Sequence, residues 1–316
     1  MGGCVIGVEI GGTKLQAALG DGLGAIHRLE RSSVNRGKGA PGILEWMEAA
    51  VGALINGASS RPVSAGIGFG GPVDSATGRV LVSHQIQGWE GIELRTWFEQ
   101  RFGMPVVVEN DANAAGWAEY KLGAGKGTKN FVYMNMGSGI GGALIVNGEL
   151  YNGQGYGAGE IGHVWVPDWT GRSQNGYDKL ENLCSGWSIE RRIRETLSPV
   201  PGTPLHVLCQ GNPAELTCVM LAEAARMGDA LALGEIGQVA RTTGLAIANL
   251  ITLFHPEKIA LGGGVSLMGD VLISPLKEQV DRLCFGPYKG RYELVPCELE
   301  ENVVVVGALL LSQKNK

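Results

Sequence analysis

Two stretches of this 316-residue chain follow one plan, and that repetition limits the fold more than any other feature. The first opens with the strand-length apolar run Cys4-Val5-Ile6-Gly7-Val8-Glu9-Ile10 and turns at Gly11-Gly12-Thr13-Lys14. It continues as an apolar run over residues 15–19 and ends at Gly20-Asp21-Gly22, which has hairpin turn chemistry. The second opens with Phe131-Val132-Tyr133-Met134-Asn135-Met136 and turns through Gly137-Ser138-Gly139-Ile140-Gly141-Gly142. It continues over residues 143–146 and ends at the hairpin dipeptide Asn147-Gly148. We read the pair as a degenerate internal duplication, which predicts two α/β lobes facing each other.

The segments around the repeats agree with that reading. Residues 41–55 have helical spacing with Pro41 early, where a first helical turn tolerates it. Residues 65–69 and 106–108 read as buried strands; Asn110-Asp111 closes the latter and opens a helix over 112–122. The longest helix is predicted over 229–253, with Leu231, Leu233, Ile236, Ala240, Ile247 and Ile251 as its apolar face. Lys258-Ile259-Ala260-Leu261 is a short strand ending in Gly262-Gly263-Gly264. Strands alternating with helices indicate α/β architecture.

Composition narrows the functional classes. The 26 basic and 31 acidic residues give a net charge of −5, which offers no footprint for general nucleic-acid binding and no basic cluster for an anionic membrane. Six cysteines (Cys4, Cys184, Cys209, Cys218, Cys284, Cys297) form no C-x-x-C pair, in a chain long enough to need no disulfide framework. Met1 leads almost directly into a strand-like run, without the features of a signal peptide, and residues 303–311 are only about half a bilayer span. The expectation is a soluble, cytoplasmic protein.

Four features carry chemistry. The turns at Gly11-Gly12-Thr13-Lys14 and Gly137-Ser138-Gly139 let successive backbone N–H groups converge on an anion, and a hydroxyl adds a donor. Each alone also fits an ordinary tight hairpin, and neither is a P-loop; as a duplicated pair they suit a polyphosphate gripped from both sides. Asp111 fits either a helix N-cap or a general base for phosphoryl transfer to an alcohol. Gly157-Ala158-Gly159-Glu160-Ile161-Gly162-His163 fits a surface turn or a loop closing on a polar ligand, and Glu181 alone reads as helix surface. Gly262-Gly263-Gly264 is a strand-to-helix turn or a backbone platform for a flat ring such as adenine.

Taken together, these pieces resemble the ROK family (repressors, open reading frames and kinases). The likeness runs from Ile6 to Val306-Gly307-Ala308-Leu309. It is most specific at Glu109-Asn110-Asp111-Ala112-Asn113-Ala114, Gly159-Glu160-Ile161-Gly162-His163 and Gly66-Ile67-Gly68-Phe69-Gly70-Gly71-Pro72-Val73-Asp74. The resemblance implies two duplicated ribonuclease-H-like (actin/hexokinase-like) lobes with a cleft between them, residues 1–112 plus 303–316 forming the small lobe and 113–302 the large one. It implies an ATP-dependent hexose kinase, with the 6-OH of glucose the first acceptor to consider. Asp111 would be the catalytic base, with Gly71, Gln85, Asn110, Glu160, His163 and Glu181 completing the sugar site. Gly11, Gly12, Thr13, Lys14, Gly137, Ser138 and Gly139 would cradle the phosphates of ATP, and Gly263 and Gly264 would sit beside the adenosine. Glu9 would act on magnesium through water, and a homodimer is expected.

Two departures from the family pattern stand out. Kinases of the family usually carry three zinc-binding cysteines after the histidine of the E-x-G-H motif, whereas residues 167–183 contain none here. Zinc needs soft or imidazole ligands at tetrahedral spacing, so no structural zinc is predicted. Relatives also often have an asparagine that contacts the sugar where Gln85 stands, and the longer amide alters the pocket. Fructokinase-like and N-acetylmannosamine-type activities therefore stay beside glucokinase as readings. Rivals of other kinds are a sugar-binding regulator without catalysis, a repressor carrying a DNA-binding domain ahead of Val5, and an acetate- or glycerol-kinase-like enzyme.

Overall fold

The middle strand of the first sheet, β1 (Val5–Ile10), is buried along its whole length because it has a neighbour on each edge and a helical layer on each face. This is seen in a computed structural model that describes residues 3–83 and 85–314; Met1, Gly2, His84, Asn315 and Lys316 lie outside the described residues. The sheet runs β3 (Ile26–Ser33), β2 (Lys14–Gly20), β1, β4 (Ala65–Phe69), β7 (Val106–Asn110). β1, β4 and β7 are parallel, while the β1–β2 and β2–β3 pairs are antiparallel hairpins. Two short strands, β5 (Val73–Asp74) and β6 (Arg79–Val80), pair apart from it.

Side chains alternate between the two faces. Ile6, Val8 and Ile10 enter a core with α1 (Gly39–Asn56) and α2 (Leu94–Phe102). Val5 packs with Val305 and Leu309 of α10 (Val303–Leu311) on the other face. There the backbones approach closely: a Cβ on Gly66 would lie 2.0 Å from Ala308 O, and one on Gly307 1.9 Å from Ala114 O in α3 (Asp111–Leu122).

The second copy of the repeat builds a second five-stranded sheet. Its order is β10 (Glu149–Leu150), β9 (Ile140–Val146), β8 (Phe131–Met136), β13 (Lys258–Gly262), β14 (Glu293–Pro296). At the β9–β10 turn both Asn147 (φ 53°) and Gly148 (φ 84°) are left-handed, the conformation that an Asn-Gly hairpin supplies. A separate hairpin joins β11 (Trp165–Pro167) to β12 (Tyr177–Lys179).

After it come α4 (Leu180–Cys184), α5 (Gly186–Thr196), α6 (Pro204–Leu208), α7 (Cys218–Arg226), α8 (Ala230–Phe254) and α9 (Asp270–Leu283). Asp229 caps α8 with bonds from Leu231 N and Ala232 N, which is why the helical pattern expected from residue 229 begins there. α8 buries Ile236, Ala240, Ile247 and Ile251 as its spacing predicted, while Leu233 stays exposed.

The chain divides into two compact units: Met1–Tyr133 with Ala143–Gly159 and Cys297–Lys316, and Met134–Gly142 with Glu160–Pro296. Two of the limits, 133/134 and 142/143, fall within β8 and β9. Among the described residues no helix is long and apolar enough to cross a membrane.

Candidate active site

Register assembles the site of the first unit. Ile10 pairs with Phe69, and Phe69 with Asn110. The carboxyl ends of β1, β4 and β7 are therefore flush, and Gly11, Gly70 and Asp111 leave the sheet side by side, where ligands of such sheets collect. Gly70 N donates to Ile10 O at 2.7 Å. A Cβ on Gly70 would stand 3.3 Å from Asp111 Oδ2 and 3.5 Å from Gly11 Cα, so the carboxylate and the first glycine turn border the same small volume.

The structure separates the roles of Asn110 and Asp111. Asn110 is the N-cap of α3: its Oδ1 accepts from Ala112 N at 2.9 Å and Asn113 N at 3.1 Å, and its Nδ2 donates to Gly71 O at 3.1 Å. Both carbonyl lone pairs and one amide hydrogen are thus engaged, which leaves one N–H for a ligand. Asp111, at the first helical position, accepts from Ala112 N at 2.8 Å through Oδ1. The N-terminal end of α3 favours its negative charge.

Around this pair, Lys14 reaches back across the turn, its Nζ 3.3 Å from Glu9 Oε1 and 2.6 Å from Glu301 O. Burial outweighs that ammonium and pushes the Glu9 carboxyl up to about 7. Gln85 lies over the same turn, since a Cβ on Gly12 would fall 1.5 Å from its Oε1.

Ile140 is the meeting point of the second unit. Its N–H donates to Glu181 Oε2 at 2.8 Å, and its carbonyl would lie 2.2 Å from a Cβ on Gly162. A Cβ on Gly139 would stand 2.5 Å from Glu181 Oε2. The second glycine turn, the 3-10 turn Ile161–His163 and the start of α4 converge there, which brings Gly139, His163 and Glu181 into one neighbourhood.

His163 is exposed, with Nδ1 3.1 Å from Lys179 Nζ. An ammonium only donates, so Nδ1 accepts and the ring proton sits on Nε2, free to donate to a ligand hydroxyl. Glu160, also exposed, precedes the turn. The turn Gly137–Gly139 closes with Gly137 N donating to Gly139 O at 2.9 Å. It is bracketed by Gly186 N on Gly137 O and by Val265 N on Met136 O. Gly263 (φ 83°) rests its backbone on Met136, leaving no space for a side chain, whereas Gly264 faces open space. Ser138, Glu181, Ser185, Trp187 and Arg191 line a pocket of about 430 Å³.

Sequence reasoning singled out no role for Glu109 or Lys179. Glu109, 3% exposed, accepts from Asn110 N at 2.9 Å, Asn113 Nδ2 at 3.0 Å and Asn152 Nδ2 at 2.6 Å, and so fixes the strand end that presents Asp111. A carboxylate at the end of an otherwise apolar strand was the signal available for it.

A family model described as ROK family matches residues 5–315. The chain is 32% identical to a glucokinase of Streptomyces coelicolor, over 99% of this chain and 98% of the relative. It is 34% identical to a glucokinase of Halalkalibacterium halodurans, over 98% and 96% respectively. Among solved structures, a ROK family glucokinase from Streptomyces griseus in complex with glucose and AMPPNP superposes with a TM-score of 0.81 at 32% identity, covering 99% of this chain and 100% of that one.

Proposed function

The chain belongs to the ROK family, and from that premise we propose that it is an ATP-dependent hexose kinase with Asp111 as its general base. The observation that carries this reading is the division of labour at the start of α3. Asn110 supplies the cap and Asp111 holds its carboxylate beside the first glycine turn, at the carboxyl ends of three parallel strands. The glucokinase relatives and the glucose and AMPPNP complex of the Streptomyces griseus protein support ATP as phosphoryl donor and a hexose as acceptor.

The chemistry follows from the parts. Asp111 accepts a hydrogen bond from the acceptor hydroxyl, aligns its oxygen and takes its proton; a carboxylate suffices because proton transfer comes late in a loose transition state. Gly11 N and Gly137 N close their own turns onto Lys14 O and Gly139 O, so the backbone N–H groups of Gly12, Thr13, Ser138 and Gly139 are the donors offered to phosphate oxygens. His163, with its proton on Nε2, and Glu160 and Glu181 bind sugar hydroxyls. Magnesium takes oxygen donors and keeps waters, and the buried carboxylate of Glu9 beside the first glycine turn fits one water-mediated contact rather than a protein cage. When bound, the ion neutralises charge on the phosphates. We place the enzyme in the cytoplasm as a homodimer.

Coupled measurement of ADP release over a panel of glucose, fructose, mannose and N-acetylmannosamine tests the activity and ranks the acceptors, with glucose expected first. Asp111→Asn is expected to lower kcat by about a hundredfold to ten-thousandfold while sugar affinity stays within about tenfold. Loss of affinity with turnover intact would show that the base is another residue.

A further inference from the structure

The hairpin β11–β12 leads directly into the sugar-side residues. Lys179, the last residue of β12, pairs with Trp165 and holds His163; Leu180 N donates to Val164 O at 2.9 Å; Glu181 follows and binds Ile140 N. A shift of β12 along β11 therefore moves His163 and Glu181 together. Kinases of the family usually hold this stretch with zinc. The residues here do not fit that ion, since no cysteine lies within 167–183 and His163 Nδ1 faces an ammonium group.

The connection between the strands is instead gathered by one carboxylate. Asp168 is 8% exposed. Its Oδ1 accepts from Thr170 N at 2.8 Å and from Thr170 Oγ1, and its Oδ2 accepts from Arg172 N at 2.9 Å and Ser173 N at 2.6 Å. Asp168 N donates to Gly176 O at 2.9 Å, and Ser173 Oγ to Tyr177 O at 2.6 Å, which closes the loop onto β12. Its outer side is tied down twice: Arg172 pairs with Glu195 of α5, and the guanidinium of Arg241 in α8 lies 3.7 Å from the centre of the Trp169 ring. Burial opposes ionisation of Asp168, but the hydrogen bonds from Thr170, Ser173 and Arg172 prevail and hold its carboxyl below the usual range.

We propose that Asp168 is a positioning residue that replaces a metal: by collecting three backbone N–H groups it sets the register of β12, and through β12 the places of His163 and Glu181. The consequence for sugar binding rests on the kinase reading above; the ordering of the hairpin does not. Asp168→Ala removes every acceptor. Asp168→Asn keeps Oδ1 but turns an NH2 group toward the Arg172 and Ser173 N–H donors, so it tests the same bonds in a less disruptive way.

The experiment uses the full-length protein. Elemental analysis after purification is expected to find no zinc; one zinc per chain would overturn the proposal. Amide hydrogen exchange is expected to quicken at residues 170–173 and 179–181 in both variants, with α8 unchanged. If protection at 179–181 stays as in the wild type while 170–173 loosens, the loop does not set β12 and the proposal fails, whatever the activity. In the kinase assay, the sugar KM is expected to rise about tenfold to a hundredfold, with kcat and the ATP KM within about threefold. An unchanged sugar KM in Asp168→Asn, with exchange quickened at 179–181, would overturn the link to the site. A wild type that phosphorylates no sugar would overturn the kinase reading and leave the exchange result to decide the hairpin.

Discussion

Asn110→Ala separates the support of the proposed base from the base itself, and its cost follows from the geometry. Ala112 N loses one acceptor but keeps Asp111 Oδ1 at 2.8 Å. Asn113 N, in a residue 1% exposed, loses Asn110 Oδ1 as its acceptor, which is the loss of an N-cap and worth about 1 kcal/mol. Gly71 O loses the amide donor at 3.1 Å, worth about 1 kcal/mol more. The sum of about 2 kcal/mol corresponds to a fall in Tm of about 4–8 °C for a cooperative unit of this size. Asn110→Asp is the comparison: it keeps the cap and gains from the helix dipole, but turns an oxygen toward Gly71 O beside Asp111. Calorimetry should therefore place Asn110→Asp between the wild type and Asn110→Ala. A Tm for Asn110→Ala within about 1 °C of the wild type would refute the assignment of Asn110 as the cap, and with it the division of labour between Asn110 and Asp111.

Gly307→Ala should destabilise the first unit by about 1–3 kcal/mol or more, because the new methyl would lie 1.9 Å from Ala114 O and both partners are backbone; a wild-type Tm would mean that α10 does not pack on α3 as described. Asp229 gives a pH test. Burial raises its carboxyl, but hydrogen bonds from Leu205 N, Ala232 N and Thr203 prevail and hold it below the ordinary value of 3.8. Its contribution is complete above that ordinary value and is lost as pH falls through the lower folded one. Thermal melts from pH 6 down to about 3 should show a shallower loss of Tm in Asp229→Asn than in the wild type, and parallel curves would count against the cap.

How far the sequence carries the fold and the site depends on the range of the interaction that decides each point. The glycine turns, the Asn147-Gly148 hairpin and the long helix were legible because backbone conformation and apolar spacing are local properties. Asn110 and Asp111 were not separable in that way, since both are N-cap residue types standing side by side. What separates them is the bond from Asn110 Nδ2 to Gly71 O, 39 residues away, and the β4–β7 register that aligns the two. Glu181 read alone as helix surface for the same reason: its partner is Ile140 N, 41 positions earlier. The ordering of residues 164–180 without zinc was open because Asp168 binds main-chain N–H groups, which no residue pattern advertises.

The glycines join the two levels. Gly70, Gly139 and Gly162 stand where a Cβ would meet Asp111 Oδ2 at 3.3 Å, Glu181 Oε2 at 2.5 Å and Ile140 O at 2.2 Å. Each of these three glycines marks a volume taken by something else, and two of the three occupants are carboxylates proposed to bind or activate the sugar. Those two carboxylates rest against glycine turns of different units, Asp111 beside the first and Glu181 upon the second. The turns proposed to hold the phosphates of ATP are therefore also the surfaces that position the acidic groups, so a side chain added at Gly70 or Gly139 should disturb acid chemistry and phosphate contact together.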